Sequence, residues 1–172
     1  MIERSAATTI KGQPFTLAGP ELKPGERAPE FSLVDGEGKT HTLAEFKGKA
    51  KLISVINSVD TGICSEQTQK FDKEVGELGD GVAAMTVSLD LPFALSRFCG
   101  AHGIKHLVLS DHREAKFCTS YGVLIKELRL PSRTIFVVSK EGILTYVEYV
   151  KEVASHPNYE KALEALKAAA AE

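Results

Sequence analysis

Cys64 is the residue whose neighbours best suit it to act as a nucleophile. It follows an apolar run at 52–56 and the loop Asn57-Ser-Val-Asp-Thr61-Gly-Ile. Thr61 is a good N-cap residue, and it would place Cys64 at the third position of a helix. The sulfur would then face unpaired N–H groups and the positive end of the helix dipole. Such positions lower thiol pKa values from about 8.5 into roughly the 3.5–7.5 range, which predicts a thiolate at neutral pH. The alternative is that Cys64 is a small buried hydrophobe, the usual role of a free cysteine.

Cys99 is the second cysteine that could take part in chemistry. It shares one face of a predicted helix with Leu95, Phe98 and His102, so it could be a packing residue, a reagent or a ligand. Spacings of three and four also align Cys99 with His102 and His106, as a metal site would need. Glycines at 100 and 103 weaken the helix in this turn, and no second chelating pair exists, so a metal site is disfavoured.

A redox role explains both cysteines more simply. A thiolate that attacks a peroxide becomes a sulfenic acid, which condenses with a second thiol to form a disulfide and water. Cα atoms joined by a disulfide lie within about 7 Å, so cysteines on two helices must usually move to meet. We therefore expect local unfolding during catalysis, with Gly62, Gly100 and Gly103 as the positions where the helix ends loosen. Cys118, beside Phe117 and Tyr121, is interpreted as a packing residue.

Two sequence strings carry a resemblance to a known family. They are Asn57-Ser-Val-Asp-Thr-Gly-Ile-Cys64 and Asp90-Leu-Pro-Phe-Ala-Leu-Ser-Arg-Phe-Cys99-Gly, and together they resemble the thiol peroxidase branch of the peroxiredoxins, the atypical two-cysteine type. The likeness extends from Lys11-Gly-Gln-Pro-Phe-Thr-Leu to Arg133. It implies that Cys64 is the peroxidatic cysteine, that Cys99 is the resolving cysteine, and that Thr61 and Arg133 support the site. From the residues alone, Arg133 would be a solvated surface arginine.

The resemblance implies a thiol-specific peroxidase that reduces hydrogen peroxide and organic hydroperoxides. Its reductant would be thioredoxin, it would need no cofactor, and it would form a homodimer. Apolar residues beside Cys64 predict a pocket that admits alkyl hydroperoxides, formed by Asn57, Val59, Ile63 and Phe93. The alternative is a peroxide-sensing thioredoxin-fold module that forms the same disulfide with little turnover, because a fold does not fix a function. A disulfide oxidoreductase is disfavoured since the chain has no Cys-x-x-Cys motif.

Asn57 departs from the family pattern, which has proline seven residues before the peroxidatic cysteine. Proline would lack an N–H and stiffen the loop, whereas asparagine keeps the donor and leaves the backbone freer. Two outcomes follow for this position. Either the pocket is looser, or the asparagine amide supplies a hydrogen bond instead.

Length and composition limit the classes of function. The 172 residues, 43% of them hydrophobic, suit one domain spanning 1–172. A net charge of −2 without a basic run makes nucleic acid or a membrane surface an unsuitable partner. The N-terminus lacks the apolar core of a secretory signal, and no stretch approaches the ~20 apolar residues of a spanning helix. Three cysteines, an odd number, fit a reducing compartment, so we expect a cytoplasmic protein.

The pattern of strands and helices predicts the fold that must position these residues. It is an α/β thioredoxin-like fold with a central mixed sheet flanked by helices and an added N-terminal β-hairpin. Strands are predicted at 52–56, 82–88, 107–110, 134–139 and 143–149, and helices after Thr61, at 93–102, at 113–120 and through the C-terminal segment. Hairpins are predicted within 8–42, joined by a proline-rich connector at 20–29. Apolar residues at 118–125 are a possible dimer interface or part of the core.

Overall fold

The computed structural model describes residues 1–172. Eleven strands and four α-helices follow one another along the chain. The strands are β1 (Glu3–Ile10), β2 (Gln13–Ala18), β3 (Ser32–Val34), β4 (Thr40–Thr42), β5 (Ala50–Val55), β6 (Val82–Ser88), β7 (Leu107–Ser110), β8 (Leu124–Ile125), β9 (Leu130–Pro131), β10 (Thr134–Val138) and β11 (Leu144–Tyr149). The helices are α1 (Gly62–Gly76), α2 (Pro92–His102), α3 (Lys116–Ser120) and α4 (Tyr159–Ala171). A short 3-10 helix spans Leu43–Phe46.

A seven-stranded mixed sheet forms the centre of the molecule, in the order β11-β10-β5-β6-β7-β3-β4. Its three middle strands, β5, β6 and β7, are parallel because each is followed or preceded by a crossing helix. The remaining strands pair antiparallel at both edges, including β10 with β5 and β3 with β7. The predicted mixed α/β sheet with flanking helices is therefore confirmed.

The N-terminal hairpin belongs to a second, four-stranded antiparallel sheet in the order β1-β2-β8-β9. The two-residue strands β8 and β9 were not expected from the sequence. This sheet places the segment 118–125 in the interior, where Cys118, Tyr121, Val123 and Ile125 have no exposed surface. Of the two alternatives for this segment, the dimer interface is therefore wrong and the core is correct.

Alternate residues of the central strands pack on opposite faces of the sheet. Leu52, Val137 and their neighbours form a core with Phe71 of α1 and Leu166 of α4. Ile53, Phe136 and others face Phe117 and Tyr121 in a second core on the other side. A smaller cluster lies at the carboxyl end of the parallel strands, and α1 and α2 both contribute to it. None of the helices combines the length and the apolar character needed to cross a bilayer.

Helix α3 differs from its prediction at 113–120, because it begins only at Lys116. Ala115 before it adopts a left-handed conformation with φ of 53°. An L-residue in this region interrupts a right-handed helix, so 112–114 forms a turn instead. The C-terminal helix predicted from the sequence is α4, which continues through the alanine-rich tail to Ala171.

Candidate active site

Cys64 lies in the first turn of α1, just beyond the carboxyl end of β5. Thr61 is the N-cap residue with extended φ and ψ, and its carbonyl accepts the first helical hydrogen bond from Ser65 N. Thr61 and Cys64 therefore occupy the predicted N-cap and third helical positions, but the Thr61 side chain does not act as a cap. Its hydroxyl donates to the Ser58 carbonyl at 3.2 Å and does not cap the helix.

The backbone N–H groups of Gly62, Ile63 and Cys64 consequently have no acceptor within the protein. They are three of the four donors that a helix leaves unpaired at its beginning. Together with the helix dipole they create a local environment that favours negative charge on the sulfur or on a bound oxygen.

The Cys64 side chain has no exposed surface and packs within the small apolar cluster. Ile56, Val59, Leu95 and Phe98 belong to the same cluster, and Cys99 packs against its edge. The two cysteines on α1 and α2 therefore share one apolar environment, although both thiols are free. Burial and the charge of Asp72 raise the pKa of the Cys99 thiol above its usual value.

Arg133 is buried at the same end of the sheet, with 2% of its surface exposed. It immediately precedes Thr134, which pairs with Val55 at the end of β5. Its Nε donates to the Val153 carbonyl at 2.9 Å, and Nη1 donates to Gln67 Oε1 at 2.7 Å. The structure therefore corrects the residue-only interpretation of Arg133 as a solvated surface residue.

Gln67 connects this arginine to the cysteine helix and was not singled out in the sequence. Its Nε2 donates to Ser54 Oγ of β5 at 2.7 Å, so both ends of a fully buried amide are bonded. Gln67 lies three residues after Cys64, a spacing that puts two side chains on one helix face. Tyr159, at the start of α4, is close enough to Arg133 and Cys64 for both to affect its pKa. Burial raises the pKa of Tyr159 to about 12. Arg133 lowers this pKa, whereas Glu66 and Cys64 raise it.

The four residues expected to form the peroxide pocket are in different environments. Val59 is buried within the Cys64 cluster, and Ile63 is half-buried. Phe93 is 83% exposed at the start of α2, and Leu91, the residue before this helix, is also exposed. The Asn57 amide donates to the Pro131 carbonyl at 2.9 Å, which is the second of the two outcomes considered for this position.

Asp90 organises the loop before Cys64 and was also missed. Its carboxylate accepts from Ser58 Oγ at 2.7 Å, from Val59 N at 2.9 Å and from Ser88 Oγ at 2.7 Å. Asp90 lies two residues beyond the carboxyl end of the buried strand β6. Functional sites in α/β sheets form at the carboxyl ends of the strands, so this position could have revealed Asp90 in the sequence.

The histidines considered as metal ligands have other partners. His106 bonds to Asp72 and to Thr86 through its two ring nitrogens, and the His102 ring packs at a tilt against Phe98. No group of three or more His, Cys, Asp or Glu side chains is close enough to hold a metal ion. A cavity of about 640 Å³ lies between the β3–β4 hairpin and the turn before α3, and none of the candidate site residues lines it.

Comparison with known proteins gives consistent matches. A family model described as Redoxin matches residues 23–163. A thiol peroxidase from Bacillus subtilis is 50% identical over 164 residues, which cover 95% of this chain and 98% of that protein. A thiol peroxidase from Listeria monocytogenes is 47% identical over 162 residues, covering 94% and 98%. The crystal structure of a peroxiredoxin-like protein from Aquifex aeolicus superposes with a TM-score of 0.89 at 36% identity, covering 96% of this chain and 99% of that one.

Proposed function

Because the chain belongs to the Redoxin family, in the thiol peroxidase branch of the peroxiredoxins, we propose that Cys64 attacks the peroxide and that Cys99 resolves the product. The protein is a thiol peroxidase, an enzyme that reduces peroxides with electrons from thiols. The assignment of individual residues to steps rests on the geometry of the site.

The observation that carries the proposal is the charge of Arg133. Its guanidinium is buried, yet no carboxylate lies within 4 Å, and it donates hydrogen bonds to a carbonyl and an amide oxygen. Buried charges in proteins are normally paired with an opposite charge. A Cys64 thiolate one helical turn from Gln67 would supply that charge, and the unpaired N–H groups of the first turn of α1 support it further.

The proposed first step transfers one oxygen atom to sulfur. The Cys64 thiolate attacks one peroxide oxygen, the O–O bond breaks, and the alcohol or water leaves after taking up a proton. Arg133 and the N–H groups of α1 stabilise the negative charge that develops on the departing oxygen. Because Cys64 has no exposed surface, neighbouring side chains must move before a peroxide reaches it.

In the proposed second step the Cys64 sulfenic acid condenses with the Cys99 thiol, forming the disulfide and releasing water. A dithiol donor then reduces the disulfide by thiol exchange. We propose thioredoxin as that donor. Val59 and Ile63 give the approach to Cys64 an apolar lining that would accept alkyl hydroperoxides as well as hydrogen peroxide, and Thr61 would hydrogen-bond the incoming oxygen once its hydroxyl turns from Ser58.

We propose further that residues 1–172 act as one domain, in a homodimer, in the cytoplasm. The N-terminal hairpin is bonded to the segment before α4, since Thr9 N donates to the Lys151 carbonyl and Val153 N donates to the Thr9 carbonyl. Leu91 and Phe93, two exposed apolar side chains at the beginning of α2, are the proposed dimer contact. Sedimentation should detect a dimer that Phe93→Asp converts to a monomer; a wild-type monomer would exclude this contact.

A peroxidase assay with cysteine variants tests the function. Wild-type protein should consume hydrogen peroxide continuously with thioredoxin and its reductase, Cys64→Ser should lose all turnover, and Cys99→Ser should lose recycling. A single stoichiometric oxidation of wild-type protein without turnover would instead indicate a peroxide sensor.

A further inference from the structure

Asp72 and His106 form a buried polar connection beside Cys99 that the proposed reaction does not use. Asp72 lies on α1, eight residues after Cys64, and His106 lies in the short connection between α2 and β7. The His106 Nδ1 to Asp72 Oδ1 distance is 2.8 Å, and the side chains are only 9% and 16% exposed.

The same carboxylate oxygen also fixes the backbone of this connection. It accepts from Lys105 N and from His106 N, both at 2.9 Å. The other ring nitrogen of His106 lies 2.7 Å from Thr86 Oγ1 of β6. Asp72 therefore joins α1 to the connection after α2 through three hydrogen bonds to one carboxylate oxygen, and His106 extends this link to β6 through Thr86.

These contacts oppose the movement that disulfide formation needs. Cys64 is fully buried in a regular helical turn and Cys99 is on a different helix, and cysteines on two helices must usually move before their sulfurs can bond. Hydrogen bonds to a charged group are among the stronger ones in proteins.

The negative charge of Asp72 also opposes disulfide formation. Its pKa falls to about 2, chiefly through the hydrogen bond from His106, so it is ionised at neutral pH. The negative charge contributes to raising the pKa of Cys99, after the larger effect of burial. A smaller thiolate fraction at Cys99 means slower attack on a sulfenic acid.

We propose that Asp72, acting through His106 and the backbone of 105–106, is a positioning residue that slows disulfide formation by holding Cys99 in its reduced arrangement. The inference rests on the proposed roles of Cys64 and Cys99. Slower condensation prolongs the life of the Cys64 sulfenic acid, so a second peroxide molecule can oxidise it to the sulfinic acid, with release of one more water or alcohol.

Stopped-flow kinetics of Asp72→Asn separate the two steps. Asparagine keeps the shape and one acceptor oxygen but loses the charge. Disulfide formation should become roughly three- to tenfold faster, as expected for weakening one or two charge-assisted hydrogen bonds. The rate of the first reaction with peroxide should be unchanged, and less sulfinic acid should accumulate. His106→Gln, which keeps the Asp72 charge, should give a smaller acceleration.

Glu74→Gln is the matched control, because it removes a carboxylate from the same helix whose partner is Lys70 rather than a residue of α2. It should change neither step. A titration of Cys99 in the Cys64→Ser background should show a lower thiol pKa with Asp72→Asn than without it, a shift that loosened packing alone would not demand.

Two results would overturn the inference in distinguishable ways. If wild-type protein forms the disulfide but folded Asp72→Asn forms it no faster, the role of Asp72 is wrong and the cysteine assignment stands. If wild-type protein forms no disulfide between Cys64 and Cys99, the proposed resolving step fails, and this inference fails with it.

Discussion

Arg133 donates a 2.7 Å hydrogen bond to Gln67, which stands three residues after Cys64 on α1. The contact fixes a buried cation against the helix that carries Cys64, the proposed nucleophile. It depends on residues 66 positions apart in the chain, so only the folded sheet brings them together. The site is therefore organised by hydrogen bonds between elements as much as by the sequence string around the cysteine.

Replacing Arg133 by methionine should lower the second-order rate with peroxide by roughly 100-fold, the usual effect of removing a donor that stabilises developing charge. It also leaves Gln67 and the Val153 carbonyl without a donor, which should cost about 1–3 kcal/mol each in unfolding free energy. Stopped-flow rates and urea unfolding measure the two effects separately. A rate that stays at the wild-type value in folded Arg133→Met would remove the arginine from the mechanism.

Two replacements of Asn57 are expected to change the rate with peroxide in opposite directions. Its backbone N–H has no acceptor, so proline would break no backbone bond, and a stiffer loop should raise the peroxide rate modestly. Asn57→Ala removes the bond to the Pro131 carbonyl without stiffening the loop, and the rate should fall. Equal losses in both variants would show that the amide bond, rather than loop stiffness, determines the rate.

Asp90→Asn should loosen the loop that leads to Cys64, because an amide cannot accept all three hydrogen bonds that the carboxylate now receives. We expect a loss of about 1–3 kcal/mol in unfolding free energy and a slower reaction with peroxide. The exposed Asp80→Asn serves as a control and should change neither quantity. Wild-type kinetics in Asp90→Asn would mean that this loop needs no such anchor.

The stability of the protein in acid should depend on Asp72. Its pKa is lowered from 3.8 to about 2 in the folded state, with the His106 hydrogen bond as the largest lowering cause. A depressed carboxyl pKa stabilises the fold above the unfolded value, and this contribution, about 2 kcal/mol, is lost as the pH falls from about 4 to 2. Urea unfolding at a series of pH values should show a smaller loss across this window for Asp72→Asn. Identical profiles for both proteins would contradict the assignment.

Much of the fold could be predicted from the sequence, because the apolar strand runs and the turn residues are local signals. The strand at 82–88 and the position of Thr61 before α1 illustrate this. The left-handed Ala115, the short strands β8 and β9, and the burial of 118–125 depend on tertiary packing and have no local signal.

The candidate site likewise contains residues that have a local sequence signal and residues that do not. The cysteine strings were visible in the sequence, as was the departure of Asn57 from the family pattern. The roles of Gln67, Asp72 and Asp90 were not, because each acts through partners distant in the chain. Arg133 needed the family resemblance, since the sequence alone gave no reason for a buried arginine.

The identity of the oxidised sulfur tests the account most directly. Cys99→Ser protein, treated with one equivalent of hydrogen peroxide in the presence of a sulfenic acid trap, should carry the trap on Cys64 when its peptides are analysed by mass spectrometry. Cys118, whose thiol pKa is raised well above the usual value by burial, should remain unmodified. A trap attached to Cys118 while Cys64 stays unmodified would contradict the account.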